Sequence, residues 1–244
     1  MSKAFAVCSL TGTGKTTSMG KIPSIGNEGL DWSTTALINV KGKPLPFKVE
    51  DGQLVKVVTT YDHVNNKYTI ASPGNYLTSV NPLEIIVFLQ YLNTVPKVKT
   101  VIIDDFQYIM AEEYMATSHI KGYEKFSKMA ANAYYVLKTG LDMRDDIVFG
   151  VLTHSEPIAD GSTIIGYKMK TIGKMLDEKV TLEGLFTTLL FSDVTKNNET
   201  GKMEYIFITN ATEKFPLAKS PIGMFENITI SNDLGMVVEK IREF

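Results

Sequence analysis

The stretch Ser9-Leu10-Thr11-Gly12-Thr13-Gly14-Lys15-Thr16-Thr17 decides the reading of this chain, because it directly follows the short apolar run Ala4-Phe5-Ala6-Val7-Cys8. In that place it reads as a phosphate-binding loop between a buried strand and a helix N-terminus. Gly12 and Gly14 allow the tight turn that aims successive N–H groups at a phosphate, and a helix starting near Lys15 adds the positive end of its dipole. Lys15 then reaches the β- and γ-phosphates, Thr16 offers its hydroxyl to Mg²⁺, and Thr11, Thr13 and Thr17 complete the cradle. The full pattern is Gly-x4-Gly-Lys-[Ser/Thr], and Ser9 stands where its first glycine belongs.

A second motif lies about 90 residues downstream, where Lys99-Thr100-Val101-Ile102-Ile103 runs into Asp104-Asp105-Phe106. A continuous β-branched run reads as a strand buried on both faces of a parallel sheet, and such sheets bind ligands at the carboxyl ends of their strands. Asp104 is then placed to hold Mg²⁺, directly or through its water, and Asp105 to orient or deprotonate an attacking water. A third run, Asp146-Ile147-Val148-Phe149-Gly150-Val151-Leu152-Thr153, ends at His154. That histidine is either a satisfied structural group or a sensor of a γ-phosphate.

The 244 residues carry 44% hydrophobic and 21% charged side chains, which suits one α/β unit with a full core. The formal net charge of −2 gives no global attraction to nucleic acid, so any such contact has to come from a local basic patch. The single cysteine excludes an internal disulfide and points to a reducing compartment. No apolar segment approaches the length of a signal core or a membrane span, so a cytoplasmic protein with no membrane partner is expected. Arg144 and Arg242 are the only arginines, and a cation needed beyond the loop therefore has to be a lysine.

Along the chain, a helix is expected over residues 15–21, stopped by Pro23, and then a short strand, Thr35-Ala36-Leu37-Ile38-Asn39-Val40. Residues 54–61 and 67–71 form an inserted β-hairpin, a lid or an edge ornament, within an insertion spanning 48–78. Asn81-Pro82-Leu83-Glu84 opens a helix that Pro96 ends. Helices follow over 112–118 and 123–140, the second with a core-packing stripe of Phe126, Met129, Ala130, Ala133, Tyr134 and Leu137. Tyr167-Lys168-Met169-Lys170-Thr171-Ile172-Gly173-Lys174 is the densest basic stretch. It is either a solvated face or a loop for single-stranded nucleic acid, with Lys168, Lys170 and Lys174 on phosphates and Tyr167 stacking on a base. A hairpin over 185–195 and 203–209 and a final helix capped by Ser231 or Asn232 close the chain.

These segments resemble the RecA-like ATPases of bacteriophages that are grouped with single-strand-annealing recombination proteins. The likeness is carried by Gly12-Thr13-Gly14-Lys15-Thr16-Thr17, by residues 38–47, by Asp104-Asp105-Phe106-Gln107-Tyr108, by Lys170-Thr171-Ile172-Gly173-Lys174 and by residues 218–225. It implies a single RecA-like domain over 1–244: a P-loop α/β core with a mostly parallel sheet flanked by helices, an inserted β-hairpin and a C-terminal one. It further implies Mg-ATP as ligand, single-stranded DNA as partner, assembly into a ring or filament, and Lys219 or Lys214 as a finger reaching a neighbour's ATP. One departure stands beside Ser9: no acid follows the 36–40 strand, where RecA keeps its catalytic glutamate, and Asp105 is left as the water-positioning group.

Two other function classes remain open. One is a small-molecule P-loop kinase, which generally needs lid arginines that this chain scarcely has. The other is a nucleotide-regulated interaction protein with vestigial hydrolysis. A GTPase is disfavoured by the absence of an Asn-Lys-x-Asp motif.

Overall fold

In the computed structural model, which describes residues 1–173, 176, 180–198 and 200–244, the chain builds one large sheet with helices on both faces. The P-loop strand β1 (Lys3–Ser9) lies between β7 (Val148–Asp160) and β9 (Thr188–Lys196), both parallel to it. Beyond β7 come β6 (Thr100–Asp104), β2 (Thr35–Asn39) and the two-residue β5 (Tyr76–Leu77), also parallel. Beyond β9 the sheet turns antiparallel through β10 (Met203–Ile208) and β11 (Thr229–Ser231). One strand, β7, thus separates the P-loop strand from the Asp104 strand.

The central strands are buried on both faces, as their unbroken apolar runs require. Ala4, Ala6 and Cys8 face a layer that contains α1 (Pro82–Leu92), α2 (Gln107–Ala116) and α3 (Glu124–Leu141). Phe5 and Val7 face the opposite layer, formed by α4 (Leu234–Glu243) with Met19, Leu30 and Trp32. The α1 cap forms as its sequence implies: the Asn81 side chain accepts from Leu83 N at 3.0 Å and Glu84 N at 3.4 Å. The Glu84 carboxylate does not close a capping box; it accepts from Ser79 Oγ at 2.5 Å and from Thr59 Oγ1. The inserted hairpin pairs β3 (Val58–Asp62) with β4 (Lys67–Ser72) as a separate two-stranded sheet.

Three local expectations need correction. Residues 15–21 do not form a helix; a single 3₁₀ turn, Thr17–Met19, stands there. Ser18 Oγ donates to the Lys15 carbonyl at 2.6 Å, Gly20 lies against Phe47, and Leu30 N takes the Met19 carbonyl at 3.0 Å. Side-chain competition for a carbonyl and a chain that turns back after five residues leave no room for helix propagation. α2 begins at Gln107, five residues before the expected start, directly behind the two aspartates. α4 is capped by Asp233 in place of Ser231 or Asn232: Asp233 Oδ1 accepts from Gly235 N at 2.9 Å and Gly29 N at 3.2 Å, and Oδ2 from Glu28 N at 2.8 Å.

That cap draws α4 onto the turn after the P-loop so closely that a Cβ on Gly235 would sit 1.9 Å from the Gly29 carbonyl oxygen. Gly235→Ala favours an isolated helix by about 1 kcal/mol. Here it has to displace backbone, and a net loss of about 1–3 kcal/mol is expected. A urea midpoint equal to or above the wild type's would show that α4 does not pack as described.

Candidate active site

A cavity of about 320 Å³ opens at the carboxyl ends of β1, β6 and β2, lined by the P-loop, Asn39, Lys43, Asp104, Asp105, Tyr108 and His154. The P-loop enters it from Ser9, the last residue of β1, whose hydroxyl lies 3.5 Å from the Thr153 carbonyl. Ser9 is in extended backbone and needs no positive φ, which explains why the missing first glycine is tolerated. The turn itself falls on Gly12 and Gly14, with φ of +84° and +86°, where a side chain would be strained. Between them Thr13 is buried, and its Oγ1 lies 2.6 Å from Ser192 Oγ and donates to the Leu10 carbonyl at 2.9 Å, which fastens the loop to β9. Thr11, Gly12, Gly14, Thr16 and Thr17 all line the cavity. With only a 3₁₀ turn behind them, the loop's N–H groups and Lys15 must do what the expected helix dipole was to share.

Lys15 Nζ donates to Asp104 Oδ1 and Asp105 Oδ1, each at 2.7 Å, and Thr16 Oγ1 donates to Asp104 Oδ2 at 2.9 Å. Residues about 90 positions apart in sequence therefore meet where β1 and β6 end, as both motifs imply. Burial works against the Lys15 charge, but attraction to and hydrogen bonds with the two carboxylates outweigh it and raise its pKa. Burial likewise works against the Asp105 charge, and the pull of Lys15 with hydrogen bonds from Lys15 and Lys43 holds that carboxyl below its ordinary range. Asp105 has φ +65°, a left-handed conformation uncommon outside glycine and asparagine, which turns its carboxylate back over the loop. His154 Nε2 lies 3.9 Å from Asp105 Oδ1. Burial first, and then the charge of Lys15, lower the His154 pKa from its ordinary value, against the opposing pull of Asp105.

Thr16 and Asp104 present adjacent hard oxygens, and among the described residues no cluster of three or more His, Cys, Asp or Glu could hold a metal by itself. That donor set suits Mg²⁺ delivered with substrate phosphates and completed by water, in contrast to an all-protein cage.

Beyond His154, which lines this cavity, the other sequence candidates lie apart from it. His154 is the last β7 residue paired with β1; beyond it β7 leaves the main sheet and pairs with β8 (Thr163–Met169). Tyr167 and Lys168 are thus in a strand, correcting the expected loop. Tyr167 is half-buried against Phe215, ring centroids 5.6 Å apart, and Lys168 Nζ lies 3.6 Å from Glu156. Lys170 is exposed and its N–H donates to the His154 carbonyl at 2.8 Å; Lys174 lies outside the described residues. Lys214 is held by Asp193 at 2.7 Å. Lys219 exchanges two backbone hydrogen bonds with Leu189, three residues before Ser192 on β9, so its backbone sits about 10 Å below the P-loop level.

Sequence reasoning missed Lys43, whose Nζ donates to Asp105 Oδ2 at 2.7 Å, and Gln107, whose Oε1 accepts from His154 N at 3.1 Å. Lys43 follows the carboxyl end of β2, and the rule that nominated Asp104 and His154 applies equally there.

No protein-family model matches this chain, and no curated protein matches it. Among solved structures, it is similar to a KaiC-like protein from the hyperthermophilic archaeon Pyrococcus horikoshii OT3. The two are 11% identical, the match covers 84% of this chain and 77% of that one, and the TM-score is 0.38. A likeness at that level identifies neither a family nor a function. No helix among the described residues is long and apolar enough to cross a membrane.

Proposed function

We propose that the protein is a RecA-like ATPase that hydrolyses Mg-ATP while handling single-stranded DNA, in recombination or replication of a phage, as a ring or filament of identical subunits. The observation that carries the ATPase reading is Lys15 held 2.7 Å from both strand-end aspartates, with Thr16 on the outer oxygen of Asp104. Thr16 and Asp104 would hold Mg²⁺, which supplies charge neutralisation of the β- and γ-phosphates when bound. Lys15 and the N–H groups of residues 11–17 orient the triphosphate. Asp105, which lines the same cavity, would accept the proton of the attacking water.

Support for DNA as partner comes from the resemblance and from the β7–β8 hairpin. It runs straight on from His154 at the phosphate end of the site, and Lys170 lies beside that residue. The kinase reading loses ground, since both arginines are committed elsewhere. Arg144 donates to the carbonyls of Asn93 at 2.6 Å and Val98 at 2.8 Å, and Arg242 to Thr100 Oγ1 at 2.6 Å.

Steady-state ATP turnover with and without single-stranded DNA tests the reading. DNA-stimulated phosphate release is expected, with binding whose log–log salt slope falls by roughly 0.7 for each lysine contact removed. Turnover indifferent to DNA, with phosphate passed to a small-molecule acceptor, would favour a kinase.

A further inference from the structure

We propose that Lys43 is the second cation of the phosphate site, that it acts within its own chain, and that it leaves Asp105 for the γ-phosphoryl group when ATP binds. The proposal rests on the ATPase reading above. At the sequence level this role falls to Lys219 from a neighbouring subunit; the structure brings forward a lysine that no motif marks.

Position makes the case first. Asn39, the last residue of β2, is in register with Asp104 on β6, so the loop that leaves β2 passes directly over the two aspartates. Lys43 Nζ reaches Asp105 Oδ2 at 2.7 Å while Lys15 Nζ holds Asp105 Oδ1 at the same distance. One carboxylate therefore bridges two ammonium groups, and Lys15, Lys43, Asp104 and Asp105 form a set with no net charge. A triphosphate brings negative charge into that set, and the two cations already gathered by one carboxylate are those it would draw.

The loop is built to present this side chain. Asn39 Nδ2 donates to the Lys43 carbonyl at 2.8 Å and to Tyr76 OH at 3.2 Å, and Lys41 pairs with Glu112 on α2. Pro44 and Pro46 line the same cavity and restrict the backbone on its exit. The ring of Tyr108 lies under the ammonium groups of Lys43 and Lys41, with Nζ 4.8 and 5.5 Å from its centroid. The stem is thus anchored, whereas the Lys43 side chain is 55% exposed against 7% for Lys15. Its head can change partner without a change of fold.

Exchange of partners also frees Asp105, which both lysines otherwise neutralise. With the lysines on phosphate oxygens, its carboxylate is available to the attacking water. The water oxygen bonds to the γ-phosphorus as the bond from that phosphorus to the bridging oxygen breaks, leaving its electron pair on the β-phosphate. The water proton passes to Asp105 and from there to solvent. Hydrolysis thus waits on occupancy of the site, with the cation supplied from the exit of β2, where no acid follows the strand.

The test compares binding of ADP and of a non-hydrolysable ATP analogue, each with Mg²⁺, by titration calorimetry for the wild type, Lys43→Ala and Lys43→Arg. Lys43→Ala is expected to weaken the analogue by about 10-fold or more while leaving ADP unchanged, because only the γ-phosphate loses a charge-assisted bond. Turnover should fall on the order of 10²-fold, with partial recovery in Lys43→Arg. Lys43→Ala mixed with Lys15→Ala should show no recovery, since neither chain holds a complete site. An unchanged ratio of analogue to ADP affinity in Lys43→Ala, or recovery of turnover in the mixture, overturns the proposal. Lys15→Ala run in the same assays separates the two failures, because wild-type binding and turnover in that variant sink the ATPase reading itself.

Discussion

Lys15→Ala is expected to abolish ATP turnover and, without nucleotide present, to cost about 3–5 kcal/mol of stability at neutral pH. The ammonium is 7% exposed and lies between Asp104 and Asp105, whose side chains are 5% and 7% exposed. Its removal leaves two neighbouring buried carboxylates, with Lys43 pairing only the second of them. The energetic loss is mainly that of stranding charge away from water, larger than the net worth of the original pairs. One carboxyl relieves it by taking a proton, so its pKa in the folded variant rises above the unfolded value. Stability tied to that proton is present at low pH and lost as pH rises, and the deficit against the wild type should therefore be smaller at pH 5 than at pH 7. Urea titrations at both pH values and a phosphate-release assay check the two parts. Wild-type turnover in a folded variant contradicts the site; a deficit that grows on acidification contradicts the electrostatic account.

Asp105→Asn is the second large effect, with turnover expected to fall on the order of 10²-fold or more while nucleotide still binds. The substitution is a clean one because Asp105 sits at φ +65°, a conformation asparagine accepts readily. Shape and backbone are kept, and the ability to take a proton is lost. Asp104→Asn should behave differently, weakening Mg²⁺-dependent binding, since Asp104 shares Thr16 and Lys15. The wild type should also gain stability from Asp105 above its unfolded pKa of 3.8 and lose it as pH falls below that value. Asp105→Asn should lack this acid limb. If both asparagine variants lose only affinity, Asp105 belongs with the metal-holding groups.

Much of the site was legible because its signals are local. A β-branched run ending in Asp104-Asp105 reads as a buried strand with its carboxylates at the carboxyl end of the sheet, and Gly12 and Gly14 before Lys15 mark a turn of positive φ. The α1 cap is equally local, set by Asn81 and Pro82. What escaped depends on contacts between distant segments. The helix expected after Lys15 is lost to Phe47 against Gly20 and to Gly235 against Gly29, partners that no local propensity reveals. Thr153 and His154 look like the polar end of a strand, yet β7 runs on past them and pairs with β8 from Ser155 to Asp160. Lys43 reads in sequence as one of several lysines in a turn, and only the register of β2 on β6 sets it over Asp105.

A crystal structure of the protein with Mg²⁺ and a non-hydrolysable ATP analogue decides whether this cavity is a nucleotide site. The triphosphate is expected to be wrapped by residues 11–17, with Lys15 on its β- and γ-oxygens, the metal against Thr16 and Asp104, and Asp105 released to face the γ-phosphorus. Triphosphate density elsewhere, or a P-loop still closed by Lys15 on both aspartates at saturating analogue, would contradict it.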